Sequence, residues 1–344
     1  MLLVGSDDGV YRISGDSDGD GGDARDNTEL TPDNAMKVLE SGRVMRLRRF
    51  DGIDGIFAAT KTGLYRSRDG TGTQWTLLGT PQEKVYTVAA TPSGNRLFVG
   101  TRPAHVYTAT INGDESKGGL EWTECEGLQT LPSREEWRLP RHEDLAQVRD
   151  VHVDTGASDP AQIRVVAGIE VGGVHVSNDG GKKWTERSDS VHDDIHELHV
   201  VASGEYVAAT GNGLYRSADA GQTWNRLDHD LEQSYFRCAF SIDETIYASA
   251  ARSNSSTWDD EKAAPALVAY CESTLETVDL PREDEIITGM TAVDGNLVVV
   301  THRGSLFVRR ADRWEQVGTV SVPGPLTGRY TPVTWIDSGT APSN

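Results

Sequence analysis

Apolar residues recur along the chain in short runs separated by polar turns. Each run of three or four apolar residues is followed, a few residues later, by a second strand ending in an aromatic residue or Val. Copies read Leu2-Leu3-Val4 to Val10-Tyr11, Ile56-Phe57-Ala58-Ala59 to Leu64-Tyr65, and Leu97-Phe98-Val99-Gly100 to Val106-Tyr107. They continue with Val165-Val166-Ala167-Gly168 to Val174-His175 and Tyr206-Val207-Ala208-Ala209 to Leu214-Tyr215. Two divergent copies are Ile246-Tyr247-Ala248-Ser249 to Leu267-Val268-Ala269-Tyr270 and Leu297-Val298-Val299-Val300 to Leu306-Phe307. Runs this short, bounded by turn residues, are strands. A period of about 40 residues marks one repeated supersecondary unit rather than unrelated domains.

A second signal sits on three of these units. Ser217-Ala218-Asp219-Ala220-Gly221-Gln222-Thr223-Trp224 is nearly copied in Ser177-Asn178-Asp179-Gly180-Gly181-Lys182-Lys183-Trp184. A looser version, with one inserted residue, runs from Ser67 through Asp69, Gly72 and Thr73 to Trp75. Ser and Asp two apart can hydrogen-bond the backbone of a tight turn, Gly supplies positive φ, and Trp buries a large ring. The pattern resembles the Asp-box of BNR-type β-propellers, and the whole chain resembles haloarchaeal BNR-like propellers of sialidase-like fold. The resemblance implies an all-β, seven-bladed β-propeller of four-stranded blades, with the Asp-box residues acting as hairpin staples.

With the strands of a blade lettered A to D from the axis outward, the seven copies are B and C strands. Trp75, Trp122, Trp184, Trp224 and Trp314 mark the fourth strand. Residue 1 leads directly into a B strand, while Arg329–Ile336 is a spare strand with no B to follow it. The C-terminal strand is therefore expected to complete the N-terminal blade in a three-plus-one closure, which removes exposed edges. Residues 1–344 are read as a single domain with insertions at about 14–30, 126–147 and 252–264.

Composition adjusts this picture. Asp and Glu number 53 against 33 Lys and Arg, a formal net charge of -20. Lysine is scarce, a balance resembling proteins of salt-accumulating haloarchaea. Such charge opposes nucleic-acid and anionic-membrane binding. Neither a leader peptide nor an apolar run long enough to span a bilayer is evident, so the expectation is a cytoplasmic protein, monomeric on its own. Cys125, Cys238 and Cys271 are odd in number and widely spaced, suggesting neither disulfides nor a zinc ribbon.

The candidate chemistry lies in the insertions and at the mouth of the central channel. Asp16, Asp18 and Asp20 begin like a calcium loop, but Asn27 stands where the closing Glu belongs; the alternative is a mobile acidic loop, and no other cofactor is expected. In a propeller the B–C turns and D–A links share one face, opposite the Asp-box turns. That face collects Lys61, Arg102, His105, Glu170, His302 and Arg303 from turns, and Arg149 and Arg237 from innermost strands. The insertions add Arg134, Trp137, Arg138, Arg141, His142 and Trp258. Arginine forks suit carboxylate or phosphate, while the plainer alternative is a hydrated channel lined by internal ion pairs.

Two functions compete. The first is a non-catalytic propeller that scaffolds a protein partner or binds an anionic ligand through this face. The second is a BNR-type glycoside hydrolase, with Asp7 or Asp8 opposite Glu170, Asp259 or Asp260. Tyr11-Arg12-Ile13-Ser14 echoes a sialidase element, but it lacks the Pro and lies at the wrong end of its strand. His192, His196 and His199 lie near Asp193 and Asp194, but positions 196 and 199 point to opposite sides of a strand, which disfavours a metal site.

Overall fold

The computed structural model describes residues 1–14, 35–111, 119–155, 163–260 and 262–336. Asp16, Asp18 and Asp20, with the rest of their acidic segment, lie outside the described residues. The described strands form seven four-stranded antiparallel sheets. Each innermost strand packs on that of the next sheet, round to the contact between Val44–Phe50 and the C-terminal strand. The fold is a seven-bladed β-propeller.

Closure is three-plus-one. Val333–Trp335 is the A strand of blade 1, which continues with Leu2–Gly5, Gly9–Ile13 and Ala35–Glu40. Leu2 pairs with Trp335, Leu3 with Thr334 and Val4 with Val333. The spare segment is longer than the strand it supplies, because Arg329–Pro332 runs irregularly across the channel mouth. Asp7 ties that crossing down: it accepts from Arg43 Nε at 2.6 Å and from Arg329 Nε at 3.0 Å. Arg43 also donates to the carbonyls of Pro325, Thr327 and Gly328.

The apolar runs are continuous because each B strand is covered on both sides, by the preceding blade and by the next. On blade 1, Val4 packs with Val298, Val300 and Leu306 of blade 7. Its neighbour Leu3 packs the other way, on Val44, Leu47 and Ile56 of blade 2. Both are fully buried, each worth about 1.5–3 kcal/mol. Close approach also fixes Gly100 and Gly168. A Cβ there would meet Val148 at 2.5 Å and Ile195 at 2.7 Å, on the A strands of the blades that follow.

The Ser-x-Asp turns act as hairpin staples. Asp69 takes the Ser67 hydroxyl at 2.8 Å and the backbone N–H groups of Thr71, Gly72, Thr73 and Gln74. Asp179 and Asp219 each take their Ser at 2.9 Å, while Ser177 and Ser217 accept from the N–H of Gly181 and Gly221. The tryptophans tie off the turns: Trp75 donates to the Gly72 carbonyl, Trp184 to that of Gly181, and Trp224 to Arg187. Trp75, Trp184 and Trp224 immediately precede short fourth strands, whereas Trp122 and Trp314 lie inside theirs.

Candidate functional site

The A strands begin at the face that carries the B–C turns and D–A links. A chamber of about 530 Å³ opens there, lined by Arg141, Arg149, Glu170, Asp194, Tyr235 and Arg237, among others. Its charged lining comprises Arg43, Arg141, Arg149, Arg237 and Arg252 against the two carboxylates Glu170 and Asp194. Locally the surface is cationic, although the chain as a whole is strongly acidic. A second chamber of about 940 Å³ occupies the opposite end of the channel, lined by Arg48, Arg49, Glu197, His199, Phe240 and Trp335. The turn from Ser67 to Gly70 borders this end through Arg68 and Gly70.

Asp150 marks the level between the chambers. It is fully buried and accepts from Arg46 Nη2 at 3.0 Å, Arg48 Nη2 at 3.1 Å and Thr87 Oγ1 at 3.0 Å. Burial alone would raise its carboxyl, but Arg46, His152 and Arg48 outweigh that and hold it well below the ordinary range. This knot pairs the buried carboxylate within the protein.

The insertion-face chamber is balanced differently. Glu170, 2% exposed, is shared by Arg149 at 2.9 Å, by Arg141 and by Gln147. Burial pushes its carboxyl up, and Arg149 leads the contacts that bring it below the usual value. Arg237, 4% exposed, meets no carboxylate among the described residues. Its Nη2 donates to the Arg329 carbonyl at 2.6 Å, and its guanidinium lies 4.3 Å from the centre of the Tyr330 ring. Burial, reinforced by repulsion from Arg149, brings its pKa down to about 10. Arg149 sits 4.4 Å from the same ring. The Tyr330 hydroxyl is buried without a hydrogen-bond partner among the described residues.

Other polar atoms of the chamber are also unmatched. Asp194 Oδ2 lies 3.5 Å from His196 Nε2, a charge contact without hydrogen-bond geometry. Asp194 Oδ1, Gln147 Oε1 and His196 Nε2 are buried without partners among the described residues. Burial raises the Asp194 carboxyl, but His196, Arg141 and Arg149 hold it down at about 2. The His196 Nδ1–H donates to the Phe236 carbonyl at 2.7 Å, and its ring packs 4.5 Å from that of Tyr235.

The residues expected on this face fall into separate groups. Arg141, His142, Arg149, Glu170 and Arg237 line the chamber, and Arg102 stands beside it, 5.8 Å from the Tyr86 ring. Arg134, Trp137 and Arg138 border an outer pocket of about 560 Å³ on the 126–147 insertion. Arg134 donates to Gln129 Oε1 at 2.6 Å there, and its guanidinium lies 5.1 Å from the Trp137 ring. Lys61 is exposed on its turn. His105 turns away to Glu124 at 2.6 Å and stacks on Tyr107. Arg303 pairs with Asp284 at 2.5 Å.

Trp137 and Trp258 require a correction, because neither is available to a partner. They are 3% and 1% exposed. Trp137 packs 4.8 Å from His175, and Trp258 meets the fully buried His302 edge-on at 5.7 Å. A large ring at the base of an insertion gains more from the core than from solvent. The insertion of 126–147 is accordingly built of three 3-10 turns, Glu126–Thr130, Pro132–Glu136 and Pro140–His142. Tyr330, Gln147 and Tyr235 were not singled out by sequence. Tyr330 lay in the closure segment, where a strand reading assigns it only pairing.

Among the described residues, no helix is long and apolar enough to cross a membrane, and no group of His, Cys, Asp or Glu has metal-binding geometry. No protein-family model matches the chain, and the comparison with curated proteins finds no match. Solved propellers do resemble it. YCF48 bound to D1 peptide is 15% identical with a TM-score of 0.56, over 79% of this chain and 81% of that one. The GH74 xyloglucanase from Xanthomonas campestris is 16% identical with a TM-score of 0.56, over 80% of this chain; the chain spans only 45% of the xyloglucanase. The WD40 repeats of RRP9 are 13% identical with a TM-score of 0.54, over 82% of each chain. At such identities the likeness shows a β-propeller and nothing finer.

Proposed function

We propose that this propeller is a binding module that takes an anionic group into the chamber on its insertion face. One observation carries the reading: Arg237 is buried without a carboxylate among the described residues, against the ring of Tyr330, whose hydroxyl is also unmatched. A buried guanidinium is costly unless paired, and a ligand carboxylate or phosphate would supply the missing partner bidentately. The chamber's size suits a small ligand or the end of a larger one. Arg138 and Arg141, exposed on the insertion, extend the cationic surface outward to where a protein partner would dock. YCF48, a propeller of similar fold solved with a peptide, is consistent with such use. The Ser-x-Asp turns and the acidic, lysine-poor composition support a BNR-type propeller working in a salty cytoplasm.

A glycoside hydrolase has less support. Its general acid needs a carboxyl held protonated near neutral pH, whereas Glu170 and Asp194 are both held down by cations. Asp7 is occupied by Arg43 and Arg329, and Asp8 by Lys37 at 2.5 Å.

Calorimetric titration of acetate, succinate and phosphate at fixed ionic strength tests the proposal. At least one should bind the protein, and Arg237→Gln should abolish that binding. Identical heats from the two proteins would refute a site at Arg237.

A further inference from the structure

The unmatched groups of the chamber are of two opposite kinds. Arg237 and the Tyr330 hydroxyl offer N–H and O–H donors, Arg237 with a full positive charge. Asp194 Oδ1 and Gln147 Oε1 offer buried acceptors, Asp194 with a full negative charge. All four residues line the same chamber, and Tyr235, which feels both the Arg237 and the Asp194 charges, lines it too. An inorganic anion or simple carboxylate would match only the donors. It would leave Asp194 and Gln147 unmatched, and a buried polar group without a partner is costly.

Resting on the anion-binding reading above, the geometry points to a small zwitterion as the ligand: a free amino acid or dipeptide, its carboxylate on Arg237 and Tyr330 and its ammonium on Asp194 and Gln147. A chamber of about 530 Å³ has room for a ligand of this size. Gly211 supports the cationic end. A Cβ at Gly211 would meet Asp194 Oδ2 at 2.4 Å, so the turn before Gly213 is shaped around that carboxylate. Glu170 does not offer a second ammonium site, because Arg141, Arg149 and Gln147 already occupy it.

The test needs no variant to be decisive. Free α- and ω-amino acids and dipeptides are titrated calorimetrically beside two controls for each: the N-acetyl derivative, which lacks the ammonium, and the amide, which lacks the carboxylate. At least one zwitterion should bind about tenfold or more tightly than both of its controls, the gain of one charge-assisted contact. Asp194→Asn should remove the advantage over the N-acetyl form while leaving binding of that form intact. If N-acetyl forms bind as tightly as the zwitterions, the ammonium subsite is wrong and the anion site stands. If no carboxylate of any kind binds, the zwitterion reading falls, and the anion site falls with it when phosphate does not bind either.

Discussion

The Arg237 guanidinium rests 4.3 Å from the centre of the Tyr330 ring, joining the A strand of blade 6 to the segment that closes the propeller. The candidate site and the closure therefore share a residue. Without the chain's last described turn, the chamber would lose one wall and Arg237 its aromatic cover.

Removing residues 329–336 should cost stability as well as the site. Tyr330, Val333 and Ile336 are buried, worth about 1.5–3 kcal/mol each, and the pairing of Leu2–Val4 with Val333–Trp335 goes with them. The expected outcome is a cooperative melt at least about 10 °C lower, or no folded protein. An unchanged melting curve in the truncated chain would contradict the closure.

Two buried arginines of the innermost strands, Arg46 and Arg237, should respond in opposite ways to an apolar replacement of similar length. Arg46→Met takes from the buried Asp150 one of its two guanidinium partners, leaving Arg48 and Thr87, and should destabilise by about 1.5–3 kcal/mol. Arg237→Met removes a buried charge with no carboxylate, so urea unfolding should find it neutral or up to about 1 kcal/mol more stable. That variant should bind no anion. Equal losses from both would mean that Arg237 has a structural partner after all.

Asp69 should govern part of the acid limb of stability. Burial raises its carboxyl, but hydrogen bonds from Thr73, Ser67, Thr71 and the backbone of Gln74 together outweigh it and hold the carboxyl far below its ordinary value. Its contribution is complete above the unfolded carboxyl range and is lost as pH falls toward its depressed native pKa. Asp69→Asn should cost about 1–2 kcal/mol at neutral pH, discounted for solvent screening. It should also flatten the loss of stability below about pH 4. Denaturant midpoints measured from pH 2 to 7 provide the check.

His175 should report on the 126–147 insertion. It is fully buried against Trp137, and burial lowers its pKa to about 4. The unfolded chain binds a proton near the ordinary value of 6.5, whereas the native ring stays neutral. Stability should therefore fall as pH drops from about 6.5 to 4, by up to about 3 kcal/mol. His175→Gln keeps a donor for the Gly172 carbonyl and should flatten that slope. An unaltered slope would assign the transition to another group.

The ring and its closure were legible because each blade repeats the same pair of buried strands, and Arg329–Ile336 had no B strand to follow it. The arginines and Glu170 of the chamber were legible as charges at strand ends. Their division of labour was not, since two cations share Glu170 and, among the described residues, no acidic side chain reaches Arg237. Pairing is decided across the channel by residues far apart in sequence, such as Arg46 with Asp150. The roles of Trp137 and Trp258 were misjudged for a similar reason. An insertion's composition does not reveal which rings turn inward, and these two found core contacts with His175 and His302.

The most direct measurement is an anomalous-scattering map of the protein crystallised with 2-bromobenzoate, whose aryl bromine does not alkylate thiols or imidazoles. A bromine peak beside Arg237 and Tyr330, with the carboxylate within hydrogen-bonding reach of both, is the predicted result. Bromine found only against surface arginines such as Arg138, with the chamber holding none, would contradict the anion site.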